Sequence, residues 1–114
     1  MSGITTHVLD TSSGTPARGI PVVLELQSGQ GGWAELARDS TDESGRASHL
    51  INPGAVLERG TYRLTLETRE YFQDRGEGCF YPTIAVTFTV EHPEQHYHLP
   101  VLVSPFGFST YRGS

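Results

Sequence analysis

The chain has 114 residues, 36% of them hydrophobic and 18% charged, which fits one compact domain spanning 1–114 and excludes a fibrous repeat or a disordered polymer. Its net charge is −5 and all eight basic residues are arginines scattered from Arg18 to Arg112, so a nucleic-acid surface, which needs clustered cations, is not expected. Without lysine there is no Schiff-base chemistry, and with Cys79 alone neither an internal disulfide nor a cysteine-rich zinc site can form.

Met1 leads directly into Ile4-Thr5-Thr6-His7-Val8-Leu9, with no charged start or long apolar run, so a cytoplasmic protein without a membrane partner is expected. In an extended strand Ile4, Thr6 and Val8 share one face, and Thr5, His7 and Leu9 share the other. A turn at Gly14-Thr15-Pro16 precedes a second strand, where Val22, Leu24 and Leu26 oppose Glu25 and Gln27. Gly29 to Gly32 closes that strand as a hairpin turn, since it lacks the helix and the Gly-Lys-Ser/Thr ending of a phosphate loop. Asp42-Glu43-Ser44-Gly45 and Asn52-Pro53-Gly54 are further turns, and Arg46 after the first of them reads locally as a solvated loop arginine.

Tyr62, Leu64 and Leu66 alternate with Arg63, Thr65 and Glu67 in another strand. Thr68 to Arg75, closed by Gly76, combines a capping residue, good helix formers and a terminal glycine, and predicts about two helical turns. The cleanest alternation follows, with Ile84, Val86, Phe88 and Val90 against Thr83, Ala85, Thr87 and Thr89. Spaced strands separated by turn residues predict an all-β sandwich.

His96-Tyr97-His98-Leu99-Pro100-Val101-Leu102-Val103 carries the chemistry. Tyr97, Leu99, Val101 and Val103 take the apolar face, which leaves His96, His98 and Pro100 pointing away from the core. With His7, two strands then present imidazoles outward. A His-x-His pair also has the form of a zinc site, for which His7 or His49 would supply a third nitrogen. After the turn at Ser104-Pro105, a final strand places Phe106 and Phe108 toward the core and Ser109 and Tyr111 on one face. Spacing alone fits either a final strand with a solvated tip or a tail whose Tyr111, Arg112 and terminal Ser114 carboxylate grip a polar, planar substrate. No Gly-x-Ser-x-Gly nucleophile motif is present.

Four stretches resemble the 5-hydroxyisourate hydrolases, relatives of the hormone carrier transthyretin: His7-Val8-Leu9-Asp10 with Gly14-Thr15-Pro16-Ala17, Ser44-Gly45-Arg46, His96-Tyr97-His98-Leu99-Pro100, and above all Ser109-Thr110-Tyr111-Arg112-Gly113-Ser114. Tyr71-Phe72 and Phe80-Tyr81-Pro82 fit the same pattern, while Phe108 stands where the family often has tyrosine. The resemblance implies a transthyretin-like (prealbumin-like) β-sandwich of two four-stranded sheets with one short helix. It further implies edge-to-edge dimers, packed as a homotetramer around a channel, with the site at the dimer–dimer interface.

The implied reaction is hydrolysis of 5-hydroxyisourate to 2-oxo-4-hydroxy-4-carboxy-5-ureidoimidazoline in urate degradation, without cofactor or metal. The resemblance casts His7 and His98 as water-activating residues and Arg46 as the clamp on a ring carbonyl or oxyanion. Ser114 would join the catalytic set, closing the pocket by hydrogen bonds to substrate or water, Tyr111 and Ser109 would bind substrate, Arg112 would bind substrate or anchor the tail, and His96 would be a supporting or surface residue. A carrier of small hydrophobic ligands and a zinc-dependent hydrolase built on His96 and His98 are the alternatives, and the tail argues against the carrier.

Overall fold

The computed structural model describes residues 3–51 and 56–114, so the expected turn at Asn52-Pro53-Gly54 lies outside the described residues. One sheet contains β1 (Gly3–Asp10), β2 (Thr15–Pro16), β5 (Arg46–Ala47), β8 (His96–Ser104) and β9 (Gly107–Thr110), in the order β2-β1-β8-β9 with β5 also on β1. The other contains β3 (Pro21–Gln27), β4 (Trp33–Ser40), β6 (Gly60–Glu67) and β7 (Thr83–Val90), in the order β4-β3-β6-β7. The sheets therefore number five and four strands, because β2 and β5 are two-residue stubs that share one edge of β1.

Period-two alternation holds where it was read. Ile4 and Val8 of β1, Val22 and Leu24 of β3, Leu64 and Leu66 of β6, Ile84 and Val90 of β7, and Val101 and Val103 of β8 are all buried in the core between the sheets. Each such side chain contributes about 1.5–3 kcal/mol over an exposed one, which is what holds two amphipathic sheets face to face. β4 was not evident from the sequence. It is an edge strand with most residues exposed, joined to β3 through an irregularity between Leu24 and Glu25, so no apolar alternation marks it.

The helix α1 (Arg69–Gln73) is shorter than the two turns expected from Thr68 to Arg75. Thr68 makes no capping bond, because its hydroxyl donates to Tyr81 O instead (2.7 Å). Beyond Asp74 the chain tightens, with Arg75 and Gly76 N–H donating three residues back to Phe72 and Gln73. Tyr71 and Phe72 of α1 are buried, and the Tyr71 hydroxyl donates to Asp10 Oδ2 at 2.8 Å, tying the helix to the end of β1.

Phe106 and Phe108 are not core residues as expected. Phe106 lies in the β8–β9 turn and is 75% exposed, and Phe108 is 42% exposed because β9 is an edge strand, where it packs edge-on against Tyr81. Among the described residues no helix is long and apolar enough to cross a membrane.

Candidate active site

The outer face of the first sheet gathers the outward residues of three strands. β1 and β8 run parallel in a register that sets Thr5 beside His98 and His7 beside Pro100, while β5 sets Arg46 beside His7. Residues opposed in a ladder point to the same face, so Arg46, His7, His98 and Thr5 form one row across the sheet.

The turn before β5 positions two members of that row. Asp42 Oδ1 accepts from Ser44 N–H (2.9 Å), the Ser44 hydroxyl (2.7 Å) and Arg46 N–H (3.0 Å). The Ser44 hydroxyl foremost, and then the Arg46 amide, hold the Asp42 carboxyl below its usual pKa. Gly45 has φ +79°, and a Cβ there would collide with Val8 O, so only glycine lets this turn lie against β1. Ser44 O then accepts the His7 Nε2 proton at 2.8 Å. Because a carbonyl can only accept, neutral His7 carries its proton on Nε2 and leaves Nδ1 bare. The Arg46 guanidinium has no hydrogen bond or ion pair among the described residues.

His98 is half-buried. Its Nδ1 lies 2.8 Å from Thr5 Oγ1, and the same hydroxyl lies 2.9 Å from His96 Nε2. Burial foremost, then the Arg46 guanidinium and any charge carried by the neighbouring His7 and His96 rings, pushes the His98 pKa below its ordinary value. Its Nε2 has no hydrogen-bond partner among the described residues.

The tail crosses the same face. Pro100 has no N–H to hold Tyr111, so the β8–β9 ladder breaks there and resumes where Gly113 N–H donates to His98 O (2.8 Å). A Cβ on Gly113 would sit 2.7 Å from His98 Cδ2 and 3.2 Å from Pro100 Cγ, so the backbone is seated directly on the histidine ring. Ser109, opposite Leu102, belongs to the outer face and is exposed; Tyr111, where the ladder is interrupted, is also exposed and borders the groove at the free sheet edges.

Arg112 goes the other way. It falls opposite Leu99, an inward residue, and its guanidinium stacks 4.3 Å over the Tyr97 ring and donates to Gln95 Oε1 (3.1 Å), away from the histidine row. It anchors the tail. With Tyr111, Val86, Phe88, Tyr97, Leu99 and Thr110 it lines a groove of about 220 Å³ between the free edges of the two sheets.

The expected His7, His98 and Arg46 are thus brought together, whereas His49 is exposed and bound only through its backbone to Asp39, outside the row. Among the described residues no group of three or more His, Cys, Asp or Glu side chains could hold a metal, and the His96 and His98 rings, 6.4 Å apart, converge on a hydroxyl. Thr5 and Gly113 were missed. A glycine within a strand-like tail signals close backbone approach, which the Arg112-Gly113-Ser114 run offered.

Residues 4–113 match the HIUase/Transthyretin family. A mouse 5-hydroxyisourate hydrolase is 42% identical over 99% of this chain and 96% of its own length. The Arabidopsis thaliana uric acid degradation bifunctional protein is 41% identical over 97% of the chain, which spans only 37% of that longer protein. Among solved structures, the Klebsiella pneumoniae 5-hydroxyisourate hydrolase has a TM-score of 0.85 at 38% identity, with all of both chains covered. Transthyretin from Sparus aurata has a TM-score of 0.90 at 30% identity, covering 99% of this chain and 97% of its own.

Proposed function

We propose, from the premise that this chain belongs to the HIUase/Transthyretin family, that it is an enzyme and hydrolyses 5-hydroxyisourate in urate degradation. The backbone fits the carrier and the hydrolases about equally well, so the choice between them rests on side chains. The observation that carries the hydrolase reading is the row of Arg46, His7 and His98 on one face, with one nitrogen of each imidazole free of a hydrogen-bond partner among the described residues.

In this reading water adds to the lactam carbonyl carbon, the carbon–nitrogen bond breaks, and the ring opens to a carboxylate and a ureido group. An imidazole takes the proton from water and returns it to the departing nitrogen. His98 Nε2, kept neutral by burial and by nearby cations, is the acceptor we assign, and His7 Nδ1 orients water or substrate. Arg46, always charged and free of an ion pair among the described residues, binds the oxygen that becomes negative. Tyr111, Ser109 and Ser114 close the substrate side.

The row lies on an open sheet face, and the free edges of β7 and β9 adjoin the apolar groove. Pairing of those edges with a second copy, and packing of two such dimers through the histidine face, would enclose the site in a homotetramer. A cytoplasmic location accords with this metabolic role. The test is the ultraviolet decay of freshly generated 5-hydroxyisourate with this protein and with its His98→Ala variant. Acceleration by the wild-type chain and a roughly 100- to 10,000-fold loss in the variant support the reading. A wild-type chain that leaves the spontaneous decay unchanged would remove it.

A further inference from the structure

The mechanism leaves unused a side chain that touches two of the histidines. Thr5 Oγ1 lies 2.9 Å from His96 Nε2 and 2.8 Å from His98 Nδ1, and it reaches both because β1 and β8 pair in parallel with Thr5 level with His98. A hydroxyl has one proton and two acceptor lone pairs, so Thr5 can donate to only one of the two rings, and each ring to which it does not donate must donate to it. If Thr5 donates to His98 Nδ1, the neutral His98 ring must carry its proton on Nε2 and cannot accept another there. If Thr5 donates to His96 and accepts from His98 Nδ1, then His98 Nε2 is bare.

We propose that Thr5 is a positioning residue whose hydroxyl accepts the His98 Nδ1 proton and donates to neutral His96, thereby fixing the His98 tautomer that presents a bare Nε2. This rests on the assignment of His98 as proton acceptor. The ring geometry agrees with it: the Nδ1 edge is held by Thr5, and Cδ2, bonded to Nε2, lies under Gly113, so the ring cannot turn over without breaking one contact and meeting the other. The arrangement serves the purpose that a carboxylate serves for the histidine of a serine protease, with a neutral hydroxyl in its place. His96 then has a role of its own as the acceptor that orients the Thr5 proton.

The test compares Thr5→Val, which keeps the branched shape without the hydroxyl, with Thr5→Ser, which keeps the hydroxyl without the methyl. Both are measured as full chains for kcat and KM on 5-hydroxyisourate, and both by nitrogen-15 NMR of the histidine rings at neutral pH. In Thr5→Val kcat should fall roughly tenfold, the population bias one net hydrogen bond supplies. KM should change little, and the His98 resonances should move from one tautomer toward a mixture. Thr5→Ser should restore both readouts. Wild-type kcat in Thr5→Val, equal damage in Thr5→Ser, or unchanged His98 nitrogen shifts would each overturn the proposal. If the wild-type chain does not hydrolyse 5-hydroxyisourate, the site assignment fails, and the nitrogen spectra still decide whether Thr5 sets the tautomer.

Discussion

Replacing Gly113 with alanine separates the tail's part in the site from its part in the fold. The added methyl would sit 2.7 Å from His98 Cδ2 and 3.2 and 3.3 Å from Pro100 Cγ and Cδ. Carbon atoms rest at about 3.5–4.0 Å, so something must yield by about 1 Å. Pro100 is a closed ring inside β8 and His98 is held to Thr5, whereas the tail beyond Thr110 is tied by one backbone bond and by Arg112. The tail therefore moves. A displacement of ~1 Å within a site costs on the order of 100-fold in rate, which is about 2.7 kcal/mol in the barrier. Stability loses at most the Gly113–His98 hydrogen bond, about 1 kcal/mol, or roughly 4 °C in Tm for a chain of this size. Turnover followed by ultraviolet decay should drop about 100-fold in a variant that melts nearly as the wild type does. Wild-type turnover would refute the placement of the tail in the site, and an unfolded variant would refute its peripheral role in the fold.

Arg46→Met should lose roughly 100- to 1000-fold in kcat, the usual result of deleting an oxyanion donor, and Arg46→Lys should recover only part, because a point charge lacks the planar donor pair. Removing the cation also raises the His98 pKa, so the acid limb of kcat/KM should move to higher pH in the methionine variant and stay in place in the lysine variant; an unmoved limb in both would separate that limb from His98. For Asp10, burial pushes the carboxyl up, but hydrogen bonds from the Ser12 and Tyr71 hydroxyls, the Ser12 amide and Ser13 outweigh it and hold it below its usual pKa. A lowered pKa contributes stability above the unfolded value, near 3.8, that is lost as pH falls through the folded one. Asp10→Asn should therefore melt about 8 °C lower at neutral pH, for roughly 2 kcal/mol, with the difference shrinking below pH 4 in calorimetry. The same contact, with burial leading, pushes Tyr71 up to about 12, so no phenolate should titrate there below that pH. Light scattering should give about four times the 12.5 kDa chain mass, and full activity in a strict monomer would contradict a shared site.

Much of the sandwich was legible because a half-buried strand must alternate, and β1, β3, β6, β7 and β8 do so in residues that periodicity alone identifies. The outward placement of His7 and His98 followed from the same parity. Their adjacency did not follow, since it depends on a parallel pairing of β1 with β8 across 93 positions, from Thr5 to His98, and alternation says which way a residue points but not which strand lies beside it. β4 escaped because an exposed edge strand has no apolar face to display. Phe106 and Phe108 were misplaced for a related reason: hydrophobic residues are enriched in cores, yet edges and turns also carry them. The helix ran short at its far end, where the Arg75 and Gly76 amides turn back three residues, and Thr68 lost its expected capping role to Tyr81 O, a partner thirteen residues on that no local rule could include.

Parity also explains how one sandwich can serve carriage or catalysis. Tyr97, Leu99 and Val101 hold β8 to the core while His96 and His98, interleaved with them, face outward, so the face can change its chemistry without disturbing the packing. Pro100 breaks this division. It points outward by register and yet is buried, and the cover over it is the tail at Gly113. The outer face of β8 is thus partly closed within a single chain. Because Pro100 also lacks the N–H that would hold Tyr111 in the ladder, that residue both interrupts the β8–β9 pairing and supplies part of the surface on which Gly113 lands where the pairing resumes at His98. The proline that looks out of place in a central strand is therefore part of what seats the tail beside the histidine row.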